Sequence, residues 1–423
     1  MKHSVLKQVI YDQNEFIKSI EIVDRDYEFE KNVNYILVGL RRAGKSTLMY
    51  RIVKELIDDG CDWSQIIYIN FEDDRLLEFT KDDFNDIIET AHEIAGSREI
   101  YYFFDEIQNI EGWEHFARRL DDQKKHVNIT GSNAKMLSSE MERTLGGRYI
   151  PKMIMPFSFT EVLDYKSIAY DEAAMHTTSK VALVRSACQD YLSDGGLPEA
   201  QLLVNKREYI KSVYEKVLLG DIIEREKVNN KMALRLMVKK IAETVMSEIS
   251  FNTLAGNVKA TGVKTSTDSM IDYSSYAENA YLFFRTSNFV SKFAEKESTP
   301  RYYFYDNGFL SLFLVDKKSA LLENAVGVYL KRKYGEDLYY YKSSQTGIDI
   351  DFYLPEENAA VQVAYELGAA EEREIRSLLL LNAKIKGVNR LLLVTNEEEK
   401  TIEKDGTTIE VIPLYKFLIN GIR

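Results

Sequence analysis

Nine residues near the N-terminus, "GLRRAGKST" (39–47), restrict the fold of this chain more than any other stretch. Their spacing is G-x-x-x-x-G-K-[ST], set between a continuous apolar run, "YILVG" (35–39), and a segment with Leu48, Ile52 and Leu56 on one helical face (46–60). Glycine lets the backbone curl so that successive N–H groups face one point, and the helix that follows aims its positive end at the same point. A strand, such a loop and a helix in that order hold phosphate. Gly39, Arg42, Ala43, Gly44, Lys45, Ser46 and Thr47 are therefore the candidate phosphate contacts. Lys45 is expected to reach the β and γ phosphates of a nucleotide, and the Ser46 hydroxyl to help hold Mg²⁺.

Three further apolar runs follow, "IIYINFED" (66–73), "EIYYFFDE" (99–106) and "HVNITGSN" (126–133), with helical stretches between them. The alternation predicts an α/β fold, a parallel sheet with helices on both faces and ligands at the carboxyl ends of the strands. Residues 1–30 read as a short helix and a turn leading into the first strand. The third strand ends in Asp105 and Glu106. A carboxylate at Asp105 falls near the metal, and Glu106 can polarise an attacking water as general base. The fourth ends in Ser132 and Asn133, which either sense the γ-phosphate or cap the next helix. Arg143 and Arg148, in "ERTLGGRYI", are candidates to neutralise transition-state charge in their own subunit or a neighbour's, with Arg148 preferred.

After "MPFSF" (155–159) the pattern turns helical as far as about residue 290. Leu234, Met237, Ile241 and Val245 recur at helical spacing, two more short helices follow, and then two aromatic strands, "YLFFRT" and "RYYFYD". Three helices and a strand pair suggest a winged helix. From about 319 the chain returns to mixed α/β. The expected domains are 1–155, a nucleotide-binding core; 156–230, a helical lid and linker; 231–310, winged-helix-like; and 311–423, a small α/β domain.

Composition narrows the remaining choices. Net charge is −12, which opposes bulk attraction to nucleic acid, yet residues 201–240 hold ten Lys and Arg against five Asp and Glu. Two cysteines make no disulfide framework and fit reducing cytoplasm, and no apolar run approaches the roughly 20 residues of a membrane span. The five histidines are scattered without zinc-ligand spacing.

The segments "GLRRAGKSTL", "FFDEIQNIEGWEHFARRL", "ITGSNAKMLSSE…TLGGRY", "MPFSFTEVL" and "GGLPEA" resemble a large group of prokaryotic AAA-like P-loop ATPases. The resemblance spans nearly the whole chain. It implies ATP and Mg²⁺ as ligands, slow regulated hydrolysis, a helical lid, a winged helix and a C-terminal domain similar to restriction endonucleases. "GGLP" also resembles a lid motif in which a proline touches the base or sugar, here Pro198; Gly-Gly and Pro equally make a helix-breaking turn. The endonuclease resemblance puts Glu323 on a first helix, Asp351 on a strand and Gln362-Val363-Ala364 on the next. Alanine stands where a lysine is needed, which argues against cleavage, with Lys342 as a substitute from the neighbouring strand. Three functions follow: an ATPase that rearranges its C-terminal domains against DNA or a protein partner, a nucleotide-gated binding switch with little turnover, or an ATP-regulated metal nuclease. Assembly into oligomers stays open.

Overall fold

The alternating runs of residues 34–153 fold as a parallel sheet in the computed structural model, which describes residues 3–137, 143–314, 318–368, 371–385 and 388–422. Strands β1 (Asn34–Val38), β2 (Ile66–Asn70), β3 (Tyr101–Asp105), β4 (His126–Gly131) and β5 (Tyr149–Met153) lie in the order β2-β3-β4-β1-β5, every pair parallel. Each residue of β1 is buried, because a parallel sheet covered on both faces demands unbroken apolar strands. Helix α1 (His3–Ser19) buries Leu6, Val9, Ile10 and Ile17. Helices α2 (Lys45–Asp58), α3 (Phe84–Ala95) and α4 (Trp113–Asp122) make the crossovers, and α2 buries Leu48, Ile52 and Leu56 as its periodicity predicts.

Two features differ from the sequence expectation. The N-terminal helix is not short but runs for 17 residues. A fifth strand, β5, is present although "YIPKM" carries a proline and alternates weakly. It lies at the sheet edge, where a missing N–H costs no ladder bond and exposed positions dilute the apolar signal.

The chain divides into two compact units, residues 1–155 with 279–281, and residues 156–278 with 282–423. In the second, helices Lys231–Glu243, Phe251–Ala260 and Thr267–Asn279 precede a hairpin of β6 (Phe283–Asn288) and β7 (Arg301–Phe304), the order read from the sequence. The hairpin does not stand apart. β6 also pairs in parallel with β8 (Tyr339–Ser343) through Ser287 and Asn288, so the hairpin is the end of an eight-stranded sheet. That sheet continues through β9 (Ile348–Leu354), β10 (Ala359–Val363), β11 (Arg390–Thr395), β13 (Thr407–Pro413) and β12 (Lys400–Lys404). The expected boundary at 310 therefore falls inside one sheet, because the free edge of β6 is paired by β8. β9 is antiparallel to both β8 and β10, while β10 and β11 run parallel across the helix Glu371–Lys384, which packs Ile375, Leu378 and Leu381 on Tyr341, Ile350 and Leu393.

A buried polar node ties the helical part of this unit to its sheet. Gly196 N–H donates to Asp306 Oδ2 at 2.7 Å and Gly308 N–H to Oδ1 at 2.8 Å. A Cβ on Gly196 would stand 2.1 Å from the Phe157 carbonyl oxygen, and one on Gly195 2.1 Å from Asp306 Oδ1. Close approach thus accounts for both glycines of "GGLP". Asn307 donates to the carbonyls of Leu192 and Leu321, and Asn324 to Asn307 and Phe304. Among the described residues no helix is long and apolar enough to cross a membrane.

Candidate nucleotide site

The loop leaves β1 at Val38 and turns back into α2 within a few residues. Gly39 has φ +147°, and a Cβ there would lie 2.0 Å from the Ile154 carbonyl oxygen, so no other residue fits. Arg42 (φ 64°) and Gly44 (φ 96°) are both left-handed, which curls the loop, and Ala43 N–H closes a turn on Leu40 O at 3.1 Å. The buried Arg25 guanidinium clamps this geometry by donating to Ala43 O and Met155 O, each at 2.8 Å. Nothing in the local sequence around Arg25 signals that role; its partners are 18 and 130 residues away.

Lys45 is buried at the start of α2, its ammonium donating to Gly39 O at 3.1 Å and Leu40 O at 3.2 Å. The same nitrogen stands 3.6 Å from Glu106 Oε1. Asp105, at the end of β3, is 1% exposed. It accepts hydrogen bonds from Tyr68 Oη at 2.9 Å, from the Thr130 hydroxyl and from the Ser46 side chain. Glu106 turns off the strand at φ 53°, its N–H donating to Thr130 Oγ1 at 2.9 Å. Its Oε2 accepts from Gln108 Nε2 and, at 3.1 Å, from Ser132 Oγ.

The adjacent carboxylates are driven in opposite directions. Burial, followed by the charge of Glu106, raises Asp105 above the usual carboxylate range, only partly offset by its hydroxyl donors. Burial pushes Glu106 upward too, but Lys45, Gln108, Arg41 and Ser132 outweigh it and hold Glu106 below its ordinary value. The two acids, side by side at the carboxyl end of β3, thus differ in proton affinity.

The structure thus brings Gly39, Arg42, Ala43, Gly44, Lys45, Ser46, Asp105 and Glu106 together, with Thr47 in the first turn of α2. Asn133 lies close by at the end of β4, but its Oδ1 accepts from Lys135 N–H at 2.8 Å and so caps the short turn Ala134–Leu137. Ser132 is the residue that touches the acid. Arg148 is elsewhere. It precedes Tyr149, which pairs with Asn34 at the start of β1, and its Nε lies 2.9 Å from Asp122 Oδ1. That is the opposite, amino-terminal end of the strands, roughly 16 Å of strand from the loop, so Arg148 cannot reach a phosphate held by its own chain. Arg143 is exposed, and Pro198 opens the short helix Pro198–Leu202 of the second unit. Sequence reading missed Arg25, Tyr68, Thr130 and Gln108; the last three lie in segments quoted as strands or motifs, where nothing singles them out, and Arg25 lies in none.

In the C-terminal sheet Asp351 and Gln362 meet as expected from their strands. Gln362 Oε1 accepts from Asp351 N–H at 3.3 Å, and Asp351 Oδ2 from Val363 N–H at 2.9 Å. Glu323 is buried on the helix Lys318–Tyr334. Ala364 follows β10, and Lys342 Nζ is held by Glu248 Oε1 at 2.5 Å.

A phosphate loop at the carboxyl end of central strand β1, with a buried Asp-Glu pair at the same end of β3 across the intervening β4, defines a P-loop nucleotide-binding core of the AAA type. The comparisons agree, since an AAA domain matches residues 31–163 and a domain of unknown function (DUF8612) matches residues 185–319. Uncharacterized protein MJ1544 of Methanocaldococcus jannaschii is 31% identical across 98% of this chain and 95% of its own length. An uncharacterized protein of Haemophilus influenzae is 29% identical across 98% of this chain and 99% of its own. The chain belongs to the family of the Methanocaldococcus jannaschii protein, with an AAA domain in its N-terminal part. Among solved structures, the Aeropyrum pernix Orc1 protein in complex with DNA aligns at 12% identity over 77% of this chain and 93% of that one. The TM-score of that alignment is 0.31.

Proposed function

We propose that this protein is a Mg²⁺-dependent ATPase of the cytoplasm whose nucleotide state rearranges its C-terminal region against DNA or a protein partner. The observation that carries this reading is the convergence of Lys45, Ser46, Asp105 and Glu106 at one sheet edge. A hydroxyl hydrogen-bonded to a carboxylate fits Mg²⁺, which takes few protein ligands beside phosphate and water, so Ser46 and Asp105 are assigned to it. When bound, the ion would neutralise charge between the β and γ phosphates. Lys45 draws on the same phosphates, Glu106 orients the water, and the backbone of Gly39, Arg42, Ala43, Gly44 and Thr47 cradles the nucleotide. Asn133 is assigned to the water or γ-phosphate, and Arg148 to a neighbouring subunit's site in an oligomer. Pro198 is assigned to the lid contact with the base or sugar.

A second reading, a nucleotide-gated switch with little turnover, has its own support. Both Glu106 oxygens have partners, Lys45 on one and Gln108 with Ser132 on the other, so the base must shed contacts before it can bind water. DNA contact would fall on the basic segment rather than on the third helix of the winged-helix-like part. Thr267–Asn279 carries Asp268, Asp272 and Glu278 and no Lys or Arg, whereas Lys211, Lys216, Lys227, Lys231 and Lys239 are exposed.

Steady-state ATP hydrolysis with and without duplex DNA, beside a Glu106→Gln variant, tests the proposal. Turnover that DNA stimulates and the variant loses supports the coupled ATPase. Tight ATP binding with negligible turnover under both conditions supports the switch, and no ATP binding ends both.

A further inference from the structure

The tail's resemblance to metal-dependent endonucleases implies a divalent cation between Glu323, Asp351 and the strand bearing Gln362. The residues present do not fit one. Arg301, from β7 of the hairpin, points its guanidinium into that centre and is 2% exposed. Its Nη2 lies 2.7 Å from Asp349 Oδ1, its Nη1 3.3 Å from Asp351 Oδ1 and its Nε 3.9 Å from Glu248 Oε2. The guanidinium also sits over the Tyr340 ring, 4.5 Å from its centroid. Two residues along the same strand, Tyr303 Oη donates to Glu323 Oε1 at 2.8 Å. The second Asp351 oxygen is held by Val363 N–H, and Lys342 Nζ lies 3.7 Å from Asp349 Oδ2.

The acids that a metal would need therefore already face protein donors. Mg²⁺ asks for near-octahedral oxygens at about 2.0–2.1 Å, whereas a guanidinium offers a planar fork of donors and a permanent charge. Among the described residues no group of three or more His, Cys, Asp and Glu is arranged to hold a metal ion. Burial raises Asp351 to about 6 and lifts Glu323 well above the usual range, and Arg301 is the charge that opposes both shifts.

We propose that the Arg301 guanidinium is the fixed counter-ion of this acidic centre, standing where a divalent cation would otherwise bind, so that the C-terminal sheet is a metal-independent body with β7 locked to β9. The inference does not depend on ATP hydrolysis. It makes the endonuclease-like centre a structural joint between the hairpin and the tail.

The test is Mn²⁺ uptake by the nucleotide-free full-length protein, read by electron paramagnetic resonance and compared with Asp351→Asn, together with thermal unfolding of Arg301 variants. Equal Mn²⁺ uptake by the two proteins is expected, and so is a wild-type Tm unmoved by millimolar MnCl₂. Arg301→Ala should lower Tm by roughly 6 °C or more, since it leaves buried carboxylates without their cation, and Arg301→Lys should recover part of that loss. Saturable Mn²⁺ uptake that Asp351→Asn abolishes overturns the proposal, as does an Arg301→Ala protein that unfolds at the wild-type temperature. Should Arg301→Ala fail to fold, the Mn²⁺ comparison and Arg301→Lys still decide.

Discussion

Lys45 Nζ and Glu106 Oε1 lie 3.6 Å apart, both buried, at the edge of the sheet where the phosphate loop opens. Each group is the other's counter-charge, and each is also assigned to a different partner in the proposed reaction. A phosphate group that attracts the ammonium loosens its hold on the carboxylate. In the proposed reaction this one ion pair would link binding to activation of the base.

Glu106→Gln keeps the shape and the Gln108 and Ser132 contacts but removes the base. We expect ATP affinity within a few-fold of wild type and turnover reduced by about 10²-fold or more. A variant that hydrolyses ATP at the wild-type rate would remove Glu106 from the chemistry.

Lys45→Ala should weaken ATP binding at least about tenfold, or roughly 1.4 kcal/mol, because a charged phosphate contact is lost. It should also lower the Tm of the nucleotide-free protein, since Glu106 then stays buried with less compensation. Glu106 is held below its ordinary value in the folded state, so it stabilises the fold above the unfolded pKa and loses that contribution as pH falls through the folded pKa. The variant should show less of this acid-side loss. Calorimetry for affinity and a Tm series against pH check the two parts separately.

Asp306 behaves in the opposite sense. Burial raises it to about 6, against partial compensation by the N–H groups of Gly196, Gly308 and Phe309. The folded state then holds a proton that the unfolded chain has released, so stability from this group rises as pH falls through about 6 and is lost above it. Between about pH 7 and pH 5 the wild type should gain about 1 kcal/mol relative to Asp306→Asn, which cannot titrate. Identical pH profiles for the two proteins would refute the assignment.

Ala364→Lys places a lysine where the resemblance to restriction endonucleases expects one. With Arg301 occupying the acidic centre, the substitution should produce no Mg²⁺-dependent nicking of plasmid DNA. Nicking that appears in Ala364→Lys and disappears on Asp351→Asn would show that the centre still admits a metal.

The nucleotide site was largely legible from the sequence because its parts are local. Gly39 to Thr47 sit in one loop and helix, and Asp105 and Glu106 close one apolar strand, so spacing and periodicity place them without knowledge of the rest. Arg148 shows the limit. Its charge and its position after the fourth strand make it a candidate, but the pairing of Tyr149 with Asn34 puts it at the amino-terminal end of the strands, away from the loop. The edge strand β12 (Lys400–Lys404) was also not anticipated, since its largely exposed residues give no apolar alternation to detect.

What the sequence alone determined is the α/β core and the identity of its phosphate loop and acid pair, because backbone curl, helix direction and strand burial follow from neighbouring residues. The tertiary structure alone decided which distant cations and amides those groups meet. Arg25 bridges to Ala43 and Met155, Gly196 reaches Asp306, and Arg301 reaches Asp351 fifty residues on. These partners are selected by burial. A charge or N–H removed from water must find a mate wherever the fold brings one, and no local pattern records where that is.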